Sequence, residues 1–310
     1  MSTNRVPSKE RQEAGTAAPD KSDVIAFAIT CRRIAETPAK NEKIALLGDY
    51  LHGLADADLA AAARFFTGNP FAQREKRTLA VGGRTLVTAA HNAWGVDEDS
   101  LRAGYRATGD LGSALGPLVR PAVDLGLFRD TLAPSTLKAL LDEIADASGK
   151  SAGRKRLVLC ERILGSCTDP LEATYVIKIM TGDLRIGLRE GLVLDAIAVA
   201  FGREPAAVRR AASLAGDVGA VALAAKHDRL AEVAIAYHAP IAFMLASPIP
   251  YGSDYKELAT GSWLVEDKYE SSVYCHFRFM TSHSPLYLLS ISDNIKIGGK
   301  AFSNSFTGQL

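Results

Sequence analysis

The chain has 310 residues, 47% hydrophobic and 23% charged, which is ordinary globular usage and enough length to bury one large core or two smaller ones. Lysine and arginine total 36 against 35 aspartate and glutamate; a formal net charge of +1 excludes a uniformly basic binder but allows a basic face on a balanced molecule. The cysteines Cys31, Cys160, Cys167 and Cys275 are too few and scattered for a disulfide framework and form no pair at metal-ligand spacing, so a reduced, cytoplasmic life is expected.

Residues 1–21 are polar, carry Pro7, Gly15 and Pro19, and lack the apolar core of a signal peptide, so they are expected to be a disordered lead-in. Val24, Phe27, Ala28, Cys31 and Ile34 then recur at helical spacing, with Ser22 available as cap and Pro38 beyond the end. A second helix is expected from about Asn41, with Ile44, Leu47, Leu51 and Leu54 on one face. A third runs from about Asp58 through Phe66 and stops at Gly68.

Further on, Pro134 and Ser135 open a helix bearing Leu137, Leu140, Leu141 and Ile144, closed by Ser148-Gly149-Lys150. The best-signed start is Asp169, which can cap, with Pro170 at the first helical position and Glu172 completing a capping box; Gly182 ends that helix. More helices are expected over about 190–201, 205–214, 218–225 and 229–237, with alanine-rich interiors that combine good propensity with close packing. Even the stretch 218–246 is broken by Lys226, Asp228, Arg229 and Glu232, so no membrane span is expected.

After Pro240 the pattern changes. Pro248, Pro250 and Gly252 read as a linker before a strand at Trp263-Leu264-Val265. Alanine then falls from 48 of the first 270 residues to one of the last 40, so residues 271–310 look foreign to the rest, an unrelated or frameshifted tail. Two lesser signals carry no chemistry. Gly298-Gly299-Lys300 lacks the remaining residues of a phosphate loop, and the six histidines form no pair at metal-ligand spacing.

Four segments carry a family resemblance. Tyr175 through Ala198, containing Gly182-Asp-Leu-Arg-Ile-Gly187, resembles the helix, loop and helix of the N-terminal DNA-binding domain of ATP-dependent DNA ligases. Pro240 through Ala246 resembles the family's entry into its adenylation domain, and Trp263 through Tyr269 the approach to its nucleotidyl-lysine motif. Phe65 through Pro70 is similar to the family's helix-ending segment, so the resemblance runs over roughly residues 22–269.

The resemblance implies an all-α helical DNA-binding domain over 22–240, then a linker and a short, incomplete β-containing start of a nucleotidyltransferase domain over 241–270. It implies nicked duplex DNA as a sequence-independent partner of a monomer, with no membrane association. For the complete enzyme it implies ATP and Mg²⁺, a lysyl-AMP intermediate and strand sealing. Lys268 takes the place of the adenylated lysine and Glu266 that of an acidic residue near the adenine. The family's Lys-x-Asp-Gly then fails to match: the Asp position is Glu270, the Gly position Ser271, and an expected arginine is Val273. This chain is therefore expected to bind no cofactor productively and to retain only DNA binding.

For the DNA grip, glycines in the 182–187 loop permit close backbone approach, and a helix N-terminus offers free N–H groups to phosphate. Arg185 and Arg189 add charge there. Upstream, Lys150, Arg154, Lys155 and Arg156 cluster without an intervening acid, and Lys178 is one helix away. Such residues suit a phosphate backbone, which they position without reading bases. The rival expectation is a non-catalytic helical module whose alanine-rich faces bind proteins.

Overall fold

The computed structural model describes residues 20–75, 77–120 and 132–234, together with the backbone of three later strands. The chain divides into two units, residues 1–242 and 243–310.

The described part of the first unit is helical. Its elements are α1 (Val24–Glu36), α2 (Lys40–His52), α3 (Asp56–Phe66), α4 (Gly83–Trp94), α5 (Glu98–Thr108), α6 (Leu111–Leu115), α7 (Pro134–Asp146), α8 (Ala152–Ser166), α9 (Pro170–Thr181), α10 (Glu190–Phe201), α11 (Pro205–Ala215) and α12 (Val218–Lys226). The periodicity read from sequence recovers α1–α3, α7 and α9–α12 to within a few residues. Helices α4–α6 came without a distinct expectation, and α8 was legible only as a basic run.

A helix expected over 229–237 is a correction as far as the described residues reach. Only Leu230–Glu232 winds, as one 3₁₀ turn. Asp228 takes a left-handed φ of +58° and Arg229 N–H closes back on the Ala224 carbonyl at 2.7 Å, which ends α12 and turns the chain away.

One core joins these helices. Phe27 and Phe66 lie 4.5 Å apart between ring centroids, and Phe65 and Tyr50 meet Phe27 edge-on. Around them α1 packs on α9, α2 on α10, α3 on α7 and α12, and α4 on α8. Phe27, Phe65, Phe66, Ile34, Leu47 and Leu51 are fully buried, each contributing roughly 1.5–3 kcal/mol by removal from water. The three described cysteines, Cys31, Cys160 and Cys167, are buried and unbridged; burial pushes the Cys160 thiol up to about 11, which makes it inert.

Acidic side chains hold the helix starts, one of them from a distant segment. The N-cap of α7 is Ala133, which offers no side-chain acceptor, and Asp58 of α3 accepts the Ser135 N–H at 3.0 Å instead. Asp217 caps α12 through Gly219 N–H and takes both arms of Arg64, at 2.8 Å each. Asp169 caps α9 as expected, whereas the buried Glu172 reaches past it to Thr168 N–H at 3.1 Å.

In the second unit, β1 (Ser262–Asp267), β2 (Tyr274–Met280) and β3 (Leu288–Ser292) form an antiparallel meander in the order β1-β2-β3, with Trp263 opposite Phe279 and Glu266 opposite His276. The expected strand at Trp263–Val265 is thus present.

Candidate nucleic-acid interface

The connection between α9 and α10 is built by its glycines and its two buried leucine-like side chains. Gly182 ends α9 in a left-handed conformation, φ +74°, with its N–H and that of Asp183 returning to carbonyls of the last turn. Leu184 and Ile186 point into the core, which forces the residues between and after them outward: Arg185, Gly187, Arg189 and Glu190 are exposed. Arg185 itself adopts φ +52° and Gly187 φ +64°. A left-handed arginine is uncommon and persists only where surrounding contacts determine it.

Those contacts are specific. Arg185 Nε donates to Asp183 at 2.7 Å and a terminal nitrogen donates to the Gly109 carbonyl at 3.0 Å, joining the loop to the turn between α5 and α6. The neighbouring Asp183 carboxylate raises the Arg185 guanidinium further above its ordinary value. Arg185 remains half-exposed, and the exposed Arg189 stands at the N-cap of α10. Among the described residues, no backbone carbonyl or side chain accepts from the backbone N–H groups of Leu184 through Gly191. Free donors, a helix N-terminus and two exposed guanidinium groups together make an anion-attracting arch.

The underside of the arch holds two buried lysines. Lys178 of α9 is 7% exposed; its ammonium pairs with Asp110 at 2.8 Å and lies 5.3 Å from the Tyr175 ring. Burial raises the Asp110 carboxyl, but hydrogen bonds from Lys178 and Ser113 and the charge of Lys178 outweigh that, and the net direction is down. Asp110 also caps α6. Lys178, expected from sequence as a DNA contact, is therefore spent within the fold, because a buried ammonium already paired with a carboxylate presents little charge to solvent. The other lysine, Lys43 of α2, donates to the carbonyls of Ile186 and Gly187. Nothing in the local sequence around Lys43 or Asp110 marks them as loop supports; the signal lies in packing between distant segments.

A second close approach borders the loop. Gly68, φ +80°, faces Gly182 so closely that an added Cβ would stand 3.2 Å from the Gly182 carbonyl oxygen. The Phe65–Pro70 segment and the 182–187 loop, both singled out by sequence, are thus neighbours. Gly68, Asn69, Pro70 and Gly182 also line a groove together with Thr78–Gly82, the residues just before α4.

The upstream basic run is organised differently. Arg154 and Lys155 lie exposed on the first turn of α8, without a carboxylate partner among the described residues. Arg156 turns inward and donates to the carbonyls of Ile144 and Ala147, closing the end of α7. The run faces the α7 side of the body, whereas the loop is held by α2 and the α5–α6 turn.

Glu266 lies within β1 and Lys268 falls outside the described residues, as do Glu270, Ser271 and Val273, so the nucleotide site expected from sequence has no described side-chain geometry. Among the described residues no group of three or more His, Cys, Asp and Glu is arranged to hold a metal, and no helix is long and apolar enough to cross a membrane.

Comparison with known proteins adds a family. Residues 23–198 match the model described as DNA ligase N terminus. A probable DNA ligase of Koribacter versatilis is 40% identical over 246 residues, covering 79% of this chain and 41% of that protein. A probable DNA ligase of Opitutus terrae is 39% identical over 280 residues, covering 78% of this chain and 27% of its own length. A DNA ligase of Archaeoglobus fulgidus is 31% identical over 251 residues, 79% of this chain and 45% of that one. The chain spans less than half the length of these relatives.

Proposed function

The chain belongs to the DNA ligase N-terminus family, the N-terminal region of ATP-dependent DNA ligases, and from that premise we propose that its helical unit grips nicked duplex DNA without reading its sequence. The observation that carries the reading is the 182–191 arch: free backbone donors flanked by Arg185 and Arg189 at the start of a twelve-residue helix. The arch meets phosphate oxygens. Arg185 exchanges its hold on Asp183 for a phosphate, a trade of one charge-assisted hydrogen bond for another. Arg154 and Lys155 contribute to the field around the duplex from α8, and Lys178 positions the loop from beneath. Phosphate contacts fix orientation but carry no base information, which suits an enzyme family that must accept any nick.

In the complete family enzyme this grip would serve sealing, with ATP and Mg²⁺ supplying the activated adenylyl group. Residues 241–270 correspond to the beginning of the adenylation domain, with Lys268 in the place of the nucleophilic amine and Glu266 near the adenine. A lysine amine attacks only when its setting lowers its proton affinity and neutralises the triphosphate. Glu270, Ser271 and Val273 stand where the family has Asp, Gly and Arg, so this chain is expected to bind DNA without sealing it.

Titration of the chain with labelled nicked duplex at several salt concentrations tests the grip. Affinity should fall linearly on logarithmic axes, by about 0.9 per phosphate contact, with little dependence on base sequence. Salt-insensitive binding, or none, overturns it and favours a protein-interaction module. Label from α-labelled ATP should not remain on the denatured chain; stable label that Lys268→Ala abolishes would show a working variant site.

A further inference from the structure

The DNA reading leaves Lys43 without a role, although it is buried nearly as deeply as Lys178 and reaches the loop itself. Lys43 stands in the first turn of α2, is 8% exposed, and among the described residues hydrogen-bonds to no carboxylate. Its ammonium instead donates to the carbonyl oxygens of Ile186 at 2.9 Å and Gly187 at 3.4 Å, across more than 140 residues of sequence. An ammonium withdrawn from water without a counterion is costly, and two of its three donors are met here, by Ile186 at 2.9 Å and more loosely by Gly187 at 3.4 Å.

The identity of those carbonyls matters. In an α-helix the N–H of residue i bonds to the carbonyl of i−4. Were α10 wound one turn further back, Ile186 and Gly187 would accept from Glu190 and Gly191. Instead both carbonyls face the Lys43 ammonium and neither accepts from Glu190 or Gly191. Since a carbonyl oxygen has room for two donors, it is their placement by Lys43, with the left-handed φ of Arg185 and Gly187, that keeps them out of α10, which begins at Glu190. Gly187 completes the fit, because a Cβ there would stand 2.9 Å from the Lys43 nitrogen and its φ of +64° disfavours any other residue.

We propose that Lys43 is a positioning residue of the DNA-contact loop: by holding the Ile186 and Gly187 carbonyls it fixes where α10 starts and so where the amides that meet phosphate lie. The role rests on the DNA reading above. It differs from that of Arg185, which touches phosphate. It also differs from ordinary core packing, because an apolar side chain of equal length would fill the space but leave the carbonyls free to draw the helix backward.

The test uses the full chain and its Lys43→Met, Arg185→Ala, Lys43→Met/Arg185→Ala and Gly187→Ala variants, with two readouts. Amide hydrogen exchange needs no DNA: in Lys43→Met, winding of α10 back toward the loop would give the Glu190 and Gly191 amides acceptors, so their exchange should slow by about tenfold while α1, α3 and α12 keep their protection. Binding to nicked duplex should weaken by about five- to tenfold in Lys43→Met, and the double variant should bind no worse than the weaker single variant, because both losses pass through the same loop. Gly187→Ala approaches the contact from the loop side and should give the same exchange change, which keeps the idea testable if Lys43→Met folds poorly. Unchanged exchange in both variants overturns the proposal, and so does full additivity in the double variant, which would make Lys43 an independent phosphate contact. Loop exchange that changes in Lys43→Met while its affinity holds and Arg185→Ala still weakens binding overturns it as well. If Arg185→Ala also leaves affinity untouched, it is the DNA reading that falls.

Discussion

Two basic regions that look alike in sequence, the loop around Arg185 and the run from Lys150 to Arg156, are different objects in the folded chain. The α8 run is the exposed first turn of a helix: Lys155 N–H is bonded back to the Ser151 carbonyl, two of the run's cations project into solvent, and Arg156 serves the end of α7. The loop has fewer charges, yet its arginines stand among backbone donors with no acceptor among the described residues, over a floor braced by Lys43, Lys178 and Asp110. Cation density is therefore not what separates the two regions. The loop differs in that its backbone is braced by contacts from distant segments, an arrangement that would lose little ordering entropy on meeting a ligand.

The largest effect that would sharpen this contrast is on stability. Lys178→Met should destabilise the helical unit by about 3–5 kcal/mol, since it strands Asp110 as a buried, unpaired carboxylate; urea denaturation at pH 7 measures it, and a loss under about 1 kcal/mol would mean that the pair does not brace the loop. The pH dependence follows from the depressed Asp110 carboxyl. A group whose folded value lies below its unfolded one contributes stability above the unfolded value and loses it as pH falls through the folded one. The parent chain should therefore lose more stability than Asp110→Asn on acidification below about pH 4.

Next comes the difference between the two regions in DNA binding. Arg185→Ala should weaken nicked-duplex binding about tenfold and lower the salt slope by about one. Arg154→Ala/Lys155→Ala should weaken it by no more than about threefold, because exposed helix-face charges act through a screened field. Equal losses from the two regions would erase the distinction drawn here.

The smallest effect concerns Glu172, at the start of the helix that leads into the loop. Its carboxyl is pushed up, chiefly by burial. A raised carboxyl favours unfolding while it is ionised and ceases to do so as pH falls below its unfolded value. Glu172→Gln keeps an acceptor for Thr168 N–H and removes the charge, so it should change stability by no more than about 1 kcal/mol at neutral pH, in the stabilising direction. A large loss would show that the charge itself is needed at the head of α9.

Much of the fold was written in local pattern. Asp169-Pro170 and Gly182 bound α9 because capping and left-handed termination depend on the residues at the boundary and little else. The 3.6-residue spacing of Val24, Phe27, Cys31 and Ile34 gave α1 because all four needed one core. By contrast, α5 buries none of its residues, so no apolar stripe announced it. The stretch after Lys226 had helix-forming composition but was turned aside by Asp228 and by Arg203, which pairs with that residue at 2.6 Å.

The site divides the same way. Sequence by itself determined that residues 182–187 form a glycine-punctuated turn between two helices, with Arg185 and Arg189 beside it, since chain geometry over a few residues permits little else. Tertiary structure alone decided which cations are available: Lys178 was drawn inward by Asp110, Arg156 by the end of α7, and Lys43 was set under Ile186 and Gly187. A charge becomes a ligand contact or a structural brace according to what lies across from it in space, and partners 68 and 143 residues apart leave no mark in a local pattern.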